Sequence, residues 1–159
     1  MEVRPGGLDT PQVAELLATH VADMRRYSPP ESVHTLDLDR LRTPDLTFWS
    51  VWDGDEVLGC GALRELDPRH GELKSMRTAA PHRGRGVGSL VLEHLLEQAV
   101  ARGYRRVSLE TGSPVEFAPA RRLYTRRGFV ECGPFGPYDA DEFSVFMMLD
   151  LSAVGGSRG

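Results

Sequence analysis

The stretch of the chain with the clearest chemical potential is the octapeptide HRGRGVGS at residues 82–89, which combines three glycines with two arginines. Apolar residues at helical spacing begin inside it and continue to about residue 102, so it should open a helix. Unpaired backbone N–H groups and the helix dipole make a helix N-terminus attractive to anions. Glycines let a bulky anion approach the backbone, and Arg83 and Arg85 add positive charge. The octapeptide therefore predicts a phosphate or pyrophosphate site.

Two common nucleotide-binding loops do not fit this octapeptide. A P-loop needs a lysine after its last glycine, and no lysine follows any of these glycines. The dinucleotide fingerprint G-x-G-x-x-G, counted from Gly84, would need a glycine where the chain has Ser89. The alternative without any ligand is a tight glycine turn whose arginines face water.

The elements that must position this loop predict an α/β domain. β-Branched and aromatic runs at 46–52 and 57–66 flank an Asp-Gly turn and predict a hairpin, and 71–78 predicts the next strand. The fourth and fifth strands should pair in parallel across the helix at 86–102, in a sheet that is otherwise antiparallel. The remaining predicted elements are a strand at 2–5, a helix from Pro11 that ends before residue 28, a short helix within 34–44, a strand at 105–111, a short helix from 118 that stops at Gly128, and strands at 129–133 and 144–151.

Two segments together carry a resemblance to a known family. The pattern R/Q-x-x-G-x-G/A at 83–88, after a strand and at the start of a helix, resembles the acetyl-CoA pyrophosphate loop of the GNAT family of N-acetyltransferases. ARRLYTRRGF at 120–129 is similar to that family's A-x-x-L-Y-x-x-x-G-F helix, and the resemblance extends from about residue 48 to 151. It implies the GNAT fold, an α/β (α+β) fold whose mixed, mostly antiparallel sheet splays between its fourth and fifth strands and is flanked by helices. The domain should span 1–151, with 152–159 a flexible tail.

The resemblance also implies a co-substrate, acetyl-CoA, and a set of residues that bind it. The backbone of the strand before the loop would pair with the pantetheine arm, and the loop would hold the pyrophosphate. One departure is Phe117, because many relatives carry asparagine three residues before the helix alanine, as a CoA contact. The implied cofactor-binding residues are Met76, Arg77, Thr78, Arg83, Gly84, Arg85, Gly86, Val87, Gly88 and Ser89.

Acetyl transfer needs an acid for the departing thiolate, a base for the attacking amine, and a donor for the oxyanion. The resemblance places Tyr124 near the thioester sulfur, as the acid, and an N–H of the splayed strand at or beside Thr78 at the oxyanion. Glu110, at the carboxyl end of its strand, is the first candidate for the base. Glu72 and His34 are the alternatives.

The acceptor is expected to be the amine of a small molecule, as in the bacterial subgroup of small-molecule acetyltransferases that the chain resembles. Eighteen of its nineteen basic residues are arginine. The single lysine, Lys74, suggests that a compact charge is wanted there. With Arg77 or Arg64 it would attract an acceptor that bears a carboxylate. The alternatives are a protein or peptide N-acetyltransferase and a non-catalytic acyl-CoA-binding module.

Bulk properties limit the remaining possibilities. A net charge of −4 argues against general nucleic-acid binding. The chain begins with no basic-then-apolar signal, and no apolar run approaches a membrane span, so a cytoplasmic protein without membrane contact is expected. Cys60 and Cys132 form no ligand cluster, which fits reduced thiols and no bound metal. The apolar stretch at 144–151 is compatible with a homodimer contact or with a core strand.

Overall fold

A computed structural model describes residues 1–29 and 40–151 of the chain. The elements follow the predicted order, and only the short helix predicted within 34–44 differs: its described part is one 3₁₀ turn at Arg40–Arg42. The rest of that helix, His34 included, and the predicted tail at 152–159 lie outside the described residues. The elements are β1 (Glu2–Pro5), α1 (Pro11–Tyr27), β2 (Leu46–Asp53), β3 (Glu56–Asp67), β4 (His70–Thr78), α2 (Val87–Ala101), β5 (Arg106–Gly112), α3 (Ala118–Arg127), β6 (Val130–Cys132) and β7 (Ser144–Asp150).

The strands of the described chain form one sheet in the order β1-β2-β3-β4-β5-β7-β6. Every neighbouring pair is antiparallel except β4 and β5, which run parallel and are connected through α2. This pattern confirms the predicted mostly antiparallel α/β sheet with one parallel crossover.

Helices cover both faces of the sheet because each has one apolar stripe to bury. In α1, Thr10 caps the first turn by accepting a hydrogen bond from the Val13 N–H at 3.3 Å, and Pro11 opens the helix. The buried side of α1 packs against Phe48 and Trp52 of β2. On the other face, the apolar side of α2 packs in a second core that includes Leu109 of β5.

The sheet opens between β4 and β5 part of the way along these strands. The two strands pair only from His70 opposite Arg106 to Leu73 opposite Leu109. Just beyond that point β4 bulges against β3, and Ser75 takes a positive φ of 53°, which is rare for a residue with a side chain. The remaining residues of β4 and β5 diverge, so the backbone itself builds the predicted splay.

The apolar stretches of the described chain are used in its own core. Strand β7 lies inside the sheet, paired with β5 along its length and with β6 on its other side. Phe146, Met147 and Leu149 are buried there, which accounts for the apolar sequence by core packing, and the homodimer stays a prediction. Among the described residues, no helix combines the length and the apolar character that a membrane crossing requires.

Candidate functional site

The divergence of β4 and β5 leaves a cleft of about 120 Å³. Its walls come from both strands, from the C-terminal half of α1 and from α3, so it lies where four elements meet. The cleft brings together Tyr124, Glu110 and Met76, three of the residues that the sequence predicted for the site. Its other lining residues are His20, Met24, Ser28, Glu72, Leu73, Lys74, Ser75, Leu109, Thr111, Gly112, Phe117, Ala120 and Phe143.

Tyr124 of α3 is buried at the wall of this cleft and points its hydroxyl at β4. The hydroxyl lies 3.7 Å from the sulfur of Met76, and the ring packs on Phe129 with 5.8 Å between ring centroids. Burial raises the pKa of Tyr124 to about 12, so the phenol stays protonated at neutral pH. A buried, protonated hydroxyl can donate a hydrogen bond to charge that develops beside it on a sulfur atom.

The two carboxylates predicted as alternative bases lie in different surroundings. Glu110 lines the cleft on β5 one residue past the last pair with β4, and its side chain is half-buried. Glu72 is 1% exposed, and its Oε2 accepts hydrogen bonds from Lys74 Nζ at 3.1 Å and from the Tyr138 hydroxyl at 2.7 Å. Lys74 thus offsets the charge of the buried Glu72, while Glu110 lines the cleft where β4 and β5 begin to diverge.

Lys74, Glu72 and Tyr138 form a closed network, although Tyr138 is more than sixty residues away in sequence. Lys74 Nζ also donates to the Tyr138 hydroxyl at 2.6 Å. Burial and the charge of Glu72 raise the pKa of Tyr138 well above its usual range, so this hydroxyl keeps its proton as the donor to Glu72. Through this network the loop between β6 and β7 contacts the part of β4 that lines the cleft.

The cations expected to attract an acceptor carboxylate already have acidic partners. Lys74 is paired with Glu72, and Arg64 lies 3.2 Å from Asp45. Arg77 forms an ion pair with Asp23 of α1. A carboxylate on an acceptor would therefore have to compete with a protein carboxylate at each of these positions.

One wall of the cleft is a face of α1 that the sequence analysis did not assign to the site. His20, Met24 and Ser28 line the cleft at a spacing of four residues. Burial and the nearby charge of Arg77, against the opposing effect of Asp23, lower the pKa of His20 to about 4. Among the described residues its buried Nδ1 has no hydrogen-bond partner. The i, i+4, i+8 spacing of these residues places them on one face of the helix and could have indicated this wall of the cleft. The apolar residues of the neighbouring face follow the same period, so the sequence alone does not separate the two faces.

The glycine loop lies beyond the C-terminal end of β4, outside the lining of the cleft. Gly84 and Gly86 have φ angles of 80° and 83°, and nothing lies within 4 Å of the position that a Cβ atom would occupy at either residue. No side chain caps α2, and its first intrahelical bond runs from the Leu90 N–H to the Gly86 carbonyl at 3.0 Å. The N–H groups of residues 87–89, in the first turn of α2, therefore have no acceptor within the helix, as an anion site requires.

The surroundings of Gly88 differ from those of the two glycines before it. A Cβ there would come 3.4 Å from Leu123 of α3 and 3.8 Å from the Thr78 hydroxyl, which is ordinary van der Waals distance. The first turn of α2 therefore lies near the helix that carries Tyr124 and near the last residue of β4.

Phe117, which stands where many GNAT relatives have asparagine, closes one end of the cleft. Its ring lies against Gly112 so closely that a Cβ on Gly112 would come within 2.4 Å of it. It also makes an edge contact with Tyr27 at the end of α1, with ring centroids 6.1 Å apart. In this chain the position supplies an apolar wall between α1 and β5.

Across residues 1–29 and 40–151 no grouping of His, Cys, Asp and Glu side chains is arranged to hold a metal ion. Cys60 is buried and Cys132 is half-buried, and both are free thiols.

With this geometry established, comparison with known proteins gives consistent matches. A family model described as the acetyltransferase (GNAT) family matches residues 14–129. The uncharacterised N-acetyltransferase YsnE of Bacillus subtilis is 54% identical over 95% of this chain and 100% of its own length. The uncharacterised N-acetyltransferase YedL of Escherichia coli is 48% identical over 94% of each chain, and an IAA acetyltransferase of Azospirillum brasilense is 38% identical over 88% of this chain and 89% of its own.

Solved structures show the same fold over nearly the whole chain. A crystal structure from Klebsiella pneumoniae, assigned as an acyl-CoA N-acyltransferase, superposes with a TM-score of 0.79 at 28% identity and covers 94% of this chain and 97% of that one. A GNAT-family acetyltransferase from Elizabethkingia anophelis, solved with acetyl-CoA bound, superposes with a TM-score of 0.68 at 18% identity over 94% and 97% of the two chains. At that identity the second likeness concerns the fold alone.

Proposed function

This chain belongs to the acetyltransferase (GNAT) family and is an N-acetyltransferase, and from that premise we propose that it moves the acetyl group of acetyl-CoA to the amine of a small molecule by direct attack in a ternary complex. The observation that carries the proposal is the cleft between β4 and β5, which has a buried tyrosine hydroxyl at its wall and a half-buried carboxylate beside it. An open glycine loop at the N-terminus of α2 supplies a separate site for the donor's phosphates.

Acetyl-CoA would supply the activated acetyl thioester, and two parts of this chain fit its two ends. The glycine loop and the first turn of α2, from Gly84 to Ser89, suit the pyrophosphate together with Arg83 and Arg85. The backbone of Met76, Arg77 and Thr78 lies on the part of β4 that has left β5, so it is free to pair with an extended arm. The Thr78 N–H, or its neighbour's, is our candidate donor for the oxyanion.

Tyr124 is proposed as the general acid. When the amine nitrogen bonds to the acetyl carbon and the carbon–sulfur bond breaks, Tyr124 donates its hydroxyl proton to the sulfur. Its proximity to Met76 supports this role, because that distance places the hydroxyl beside the strand proposed to hold the thioester arm. Its pKa of about 12 exceeds that of a free thiol, but burial beside it raises the pKa of a thiol in the same way, which keeps the two groups comparable for proton transfer.

Glu110 is proposed as the base that accepts the proton from the attacking amine, directly or through a water molecule. Its place at the start of the divergence and its partial exposure support this assignment. The amine proton taken by Glu110 balances the proton that Tyr124 gives to the sulfur, so the enzyme returns to its starting state after both exchange with solvent.

The dimensions of the cleft support a small acceptor over a peptide backbone. A volume of about 120 Å³, bounded by Phe117 and Phe143, suits a compact amine. The ion pairs at Lys74, Arg64 and Arg77 support an acceptor selected by its amine and shape over one selected by a carboxylate.

A thiol-release assay with acetyl-CoA and pools of small amines tests this function. Wild type should release thiol with at least one pool, and Tyr124→Phe should lower kcat by about a hundredfold or more while the affinity for acetyl-CoA is retained. The matched control is Tyr104→Phe, which removes a buried hydroxyl bonded to Glu65 outside the cleft and should leave kcat unchanged. Binding of CoA without thiol release from any pool, or an unchanged kcat in Tyr124→Phe, would contradict the proposed chemistry.

A further inference from the structure

A buried histidine connects the glycine loop to the beginning of β3. His82 is the last residue of a short 3₁₀ turn, Ala80–His82, that leads into the loop, and it is 8% exposed. Its Nε2 lies 2.7 Å from a carboxylate oxygen of Glu56, the first residue of β3. Its Nδ1 lies 2.7 Å from a guanidinium nitrogen of Arg85. The three side chains form a line from the sheet to the loop.

The chemistry of arginine fixes the direction of both hydrogen bonds. A guanidinium has only N–H donors, so the Nδ1 of His82 must be the acceptor from Arg85. The proton of the neutral ring is then on Nε2, where it is donated to Glu56. A protonated imidazole carries hydrogen on both nitrogens and could not accept from Arg85, so this arrangement requires the neutral ring in this one tautomer.

The two arginines of the loop are held by different partners. Arg83 lies 4.0 Å from Asp23 of α1, and its side chain is 58% exposed. Arg85 is drawn the other way, towards His82 and β3. Since the bond to His82 uses only one of its several N–H donors, the guanidinium of Arg85 keeps donors for an anion in the loop.

We propose that His82 is a positioning residue for the phosphate-binding arginine Arg85, and that Glu56 holds His82 in the tautomer that does this. The inference rests on the proposed function, in which the loop holds the pyrophosphate of acetyl-CoA. A long, flexible side chain that is already held near its ligand loses less conformational freedom when the ligand binds. His82 therefore acts on the affinity for acetyl-CoA and leaves the chemical step at Tyr124 unchanged.

Two substitutions at this position separate the two hydrogen bonds of the ring. The side-chain oxygen of asparagine can occupy the place of Nδ1, so His82→Asn keeps an acceptor for Arg85. The amide nitrogen of glutamine can occupy the place of Nε2, so His82→Gln keeps the donor to Glu56 and loses the acceptor. We expect His82→Gln to raise the KM for acetyl-CoA by about two- to tenfold with kcat unchanged, and His82→Asn to remain closer to wild type.

A double-mutant cycle with Arg85→Ala distinguishes positioning from general structural damage. If His82 acts through Arg85, the His82→Gln substitution should add no further increase in KM once Arg85 is alanine. The matched control is His94→Gln on α2, a partly buried histidine whose ring lies edge-on against Trp49 outside the loop, and it should not change this KM. Glu56 is exposed, so Glu56→Ala tests the same relay, from Glu56 through His82 to Arg85, with little risk to folding. It should raise the KM for acetyl-CoA by a smaller factor than His82→Gln.

Calorimetric titration of the same variants with CoA distinguishes failure of the proposed function from failure of the positioning role. If wild type does not bind CoA, the proposed function fails. If wild type binds CoA, and His82→Gln, His82→Asn and Glu56→Ala all match it, only the positioning role is overturned. An equal increase from His82→Gln with and without Arg85 would also overturn it, because the effect would then not pass through Arg85.

Discussion

At the scale of single residues, burial decides which side chains around the cleft carry a proton. Burial raises the pKa of Tyr124 to about 12 and lowers that of His20 to about 4, so both are neutral at pH 7. Glu72 is also buried, but it has a cation and a hydroxyl as partners. The cleft thus combines a neutral acid, a neutral imidazole and a paired carboxylate within one small space.

The first prediction at this scale concerns the pH dependence of stability. His20 has a folded pKa near 4 against 6.5 for the unfolded chain, so the unfolded state binds its proton first as the pH falls. Stability due to the neutral ring is complete above pH 6.5 and is lost between 6.5 and 4, by up to about 3 kcal/mol.

Urea unfolding of wild type and His20→Gln at pH 7.5 and pH 4.5 measures this contribution. Wild type should lose more free energy of unfolding than the variant between the two pH values. Burial also lowers the pKa of His70 and His94, so both proteins should retain some acid sensitivity. Identical losses in the two proteins would show that His20 is not held neutral by the fold.

The second prediction at this scale concerns the buried ion pair. Lys74→Met should lower the free energy of unfolding by about 3–5 kcal/mol, because it leaves the buried Glu72 with only the longer contact to Arg64, at 3.9 Å. The double variant Glu72→Gln/Lys74→Met should recover part of the loss, since no buried charge remains. Denaturant unfolding at neutral pH provides both values, and a double variant less stable than Lys74→Met would contradict the charge-based explanation.

At the scale of elements, the bulge in β4 determines where the cleft opens. Ser75 takes its left-handed conformation just past the last pair between β4 and β5, and its carbonyl accepts from the Cys60 thiol at 3.2 Å. Glu72 and Lys74 face the same side of the sheet by normal strand alternation. The bulge after Lys74 turns Met76 to the other side, where it packs into the core that contains α2.

The strained conformation of Ser75 gives a prediction for this element. Ser75→Gly should retain the stability of the fold or increase it, because glycine takes a positive φ at little cost. Ser75→Val should lower stability by about 1–2 kcal/mol and raise the KM for acetyl-CoA as β4 shifts. Thermal unfolding and steady-state kinetics of the pair check this, and a valine variant that is as stable and active as wild type would show that the bulge does not depend on this conformation.

At the scale of the whole molecule, the proposed donor and acceptor sites use opposite ends of one divergence in the sheet. Strand β4 runs past the cleft and leads into the loop, and α2 returns from the loop across the sheet. Leu123 of α3 packs against the core that contains the apolar side of α2, so α2 shares a core with the helix that carries Tyr124. A ligand that occupies the loop and β4 would therefore contact both the strand at which the sheet divides and the start of α2.

This arrangement predicts that CoA stabilises the whole fold. At a CoA concentration of about one hundred times its Kd, binding should add about 2.7 kcal/mol to the free energy of unfolding, which corresponds to a rise in Tm of roughly 5–10 °C. Thermal unfolding with and without CoA measures the shift. Arg85→Ala should show a smaller shift at the same CoA concentration, and an equal shift would indicate that the loop does not hold the ligand.

The amino-acid sequence by itself determined the order of elements, the family and the loop. These are local properties: the helical spacing in α2, the turn signals of the hairpin and the glycines before the helix each lie within a few turns of chain. The pairing of β4 with β5 followed from the same local pattern, because a strand, a long helix and a second strand in succession favour a parallel crossover.

The tertiary structure alone decided which groups meet in the cleft and what they do there. Lys74 and Tyr138 are 64 positions apart, so no spacing rule joins them, and their contact gives Lys74 a partner inside the protein. His20 enters the site because α1 packs against β4, and the relay from Glu56 through His82 to Arg85 exists because β3 lies beside the loop. Protonation and charge pairing depend on neighbours in space, and only the folded chain brings those neighbours together.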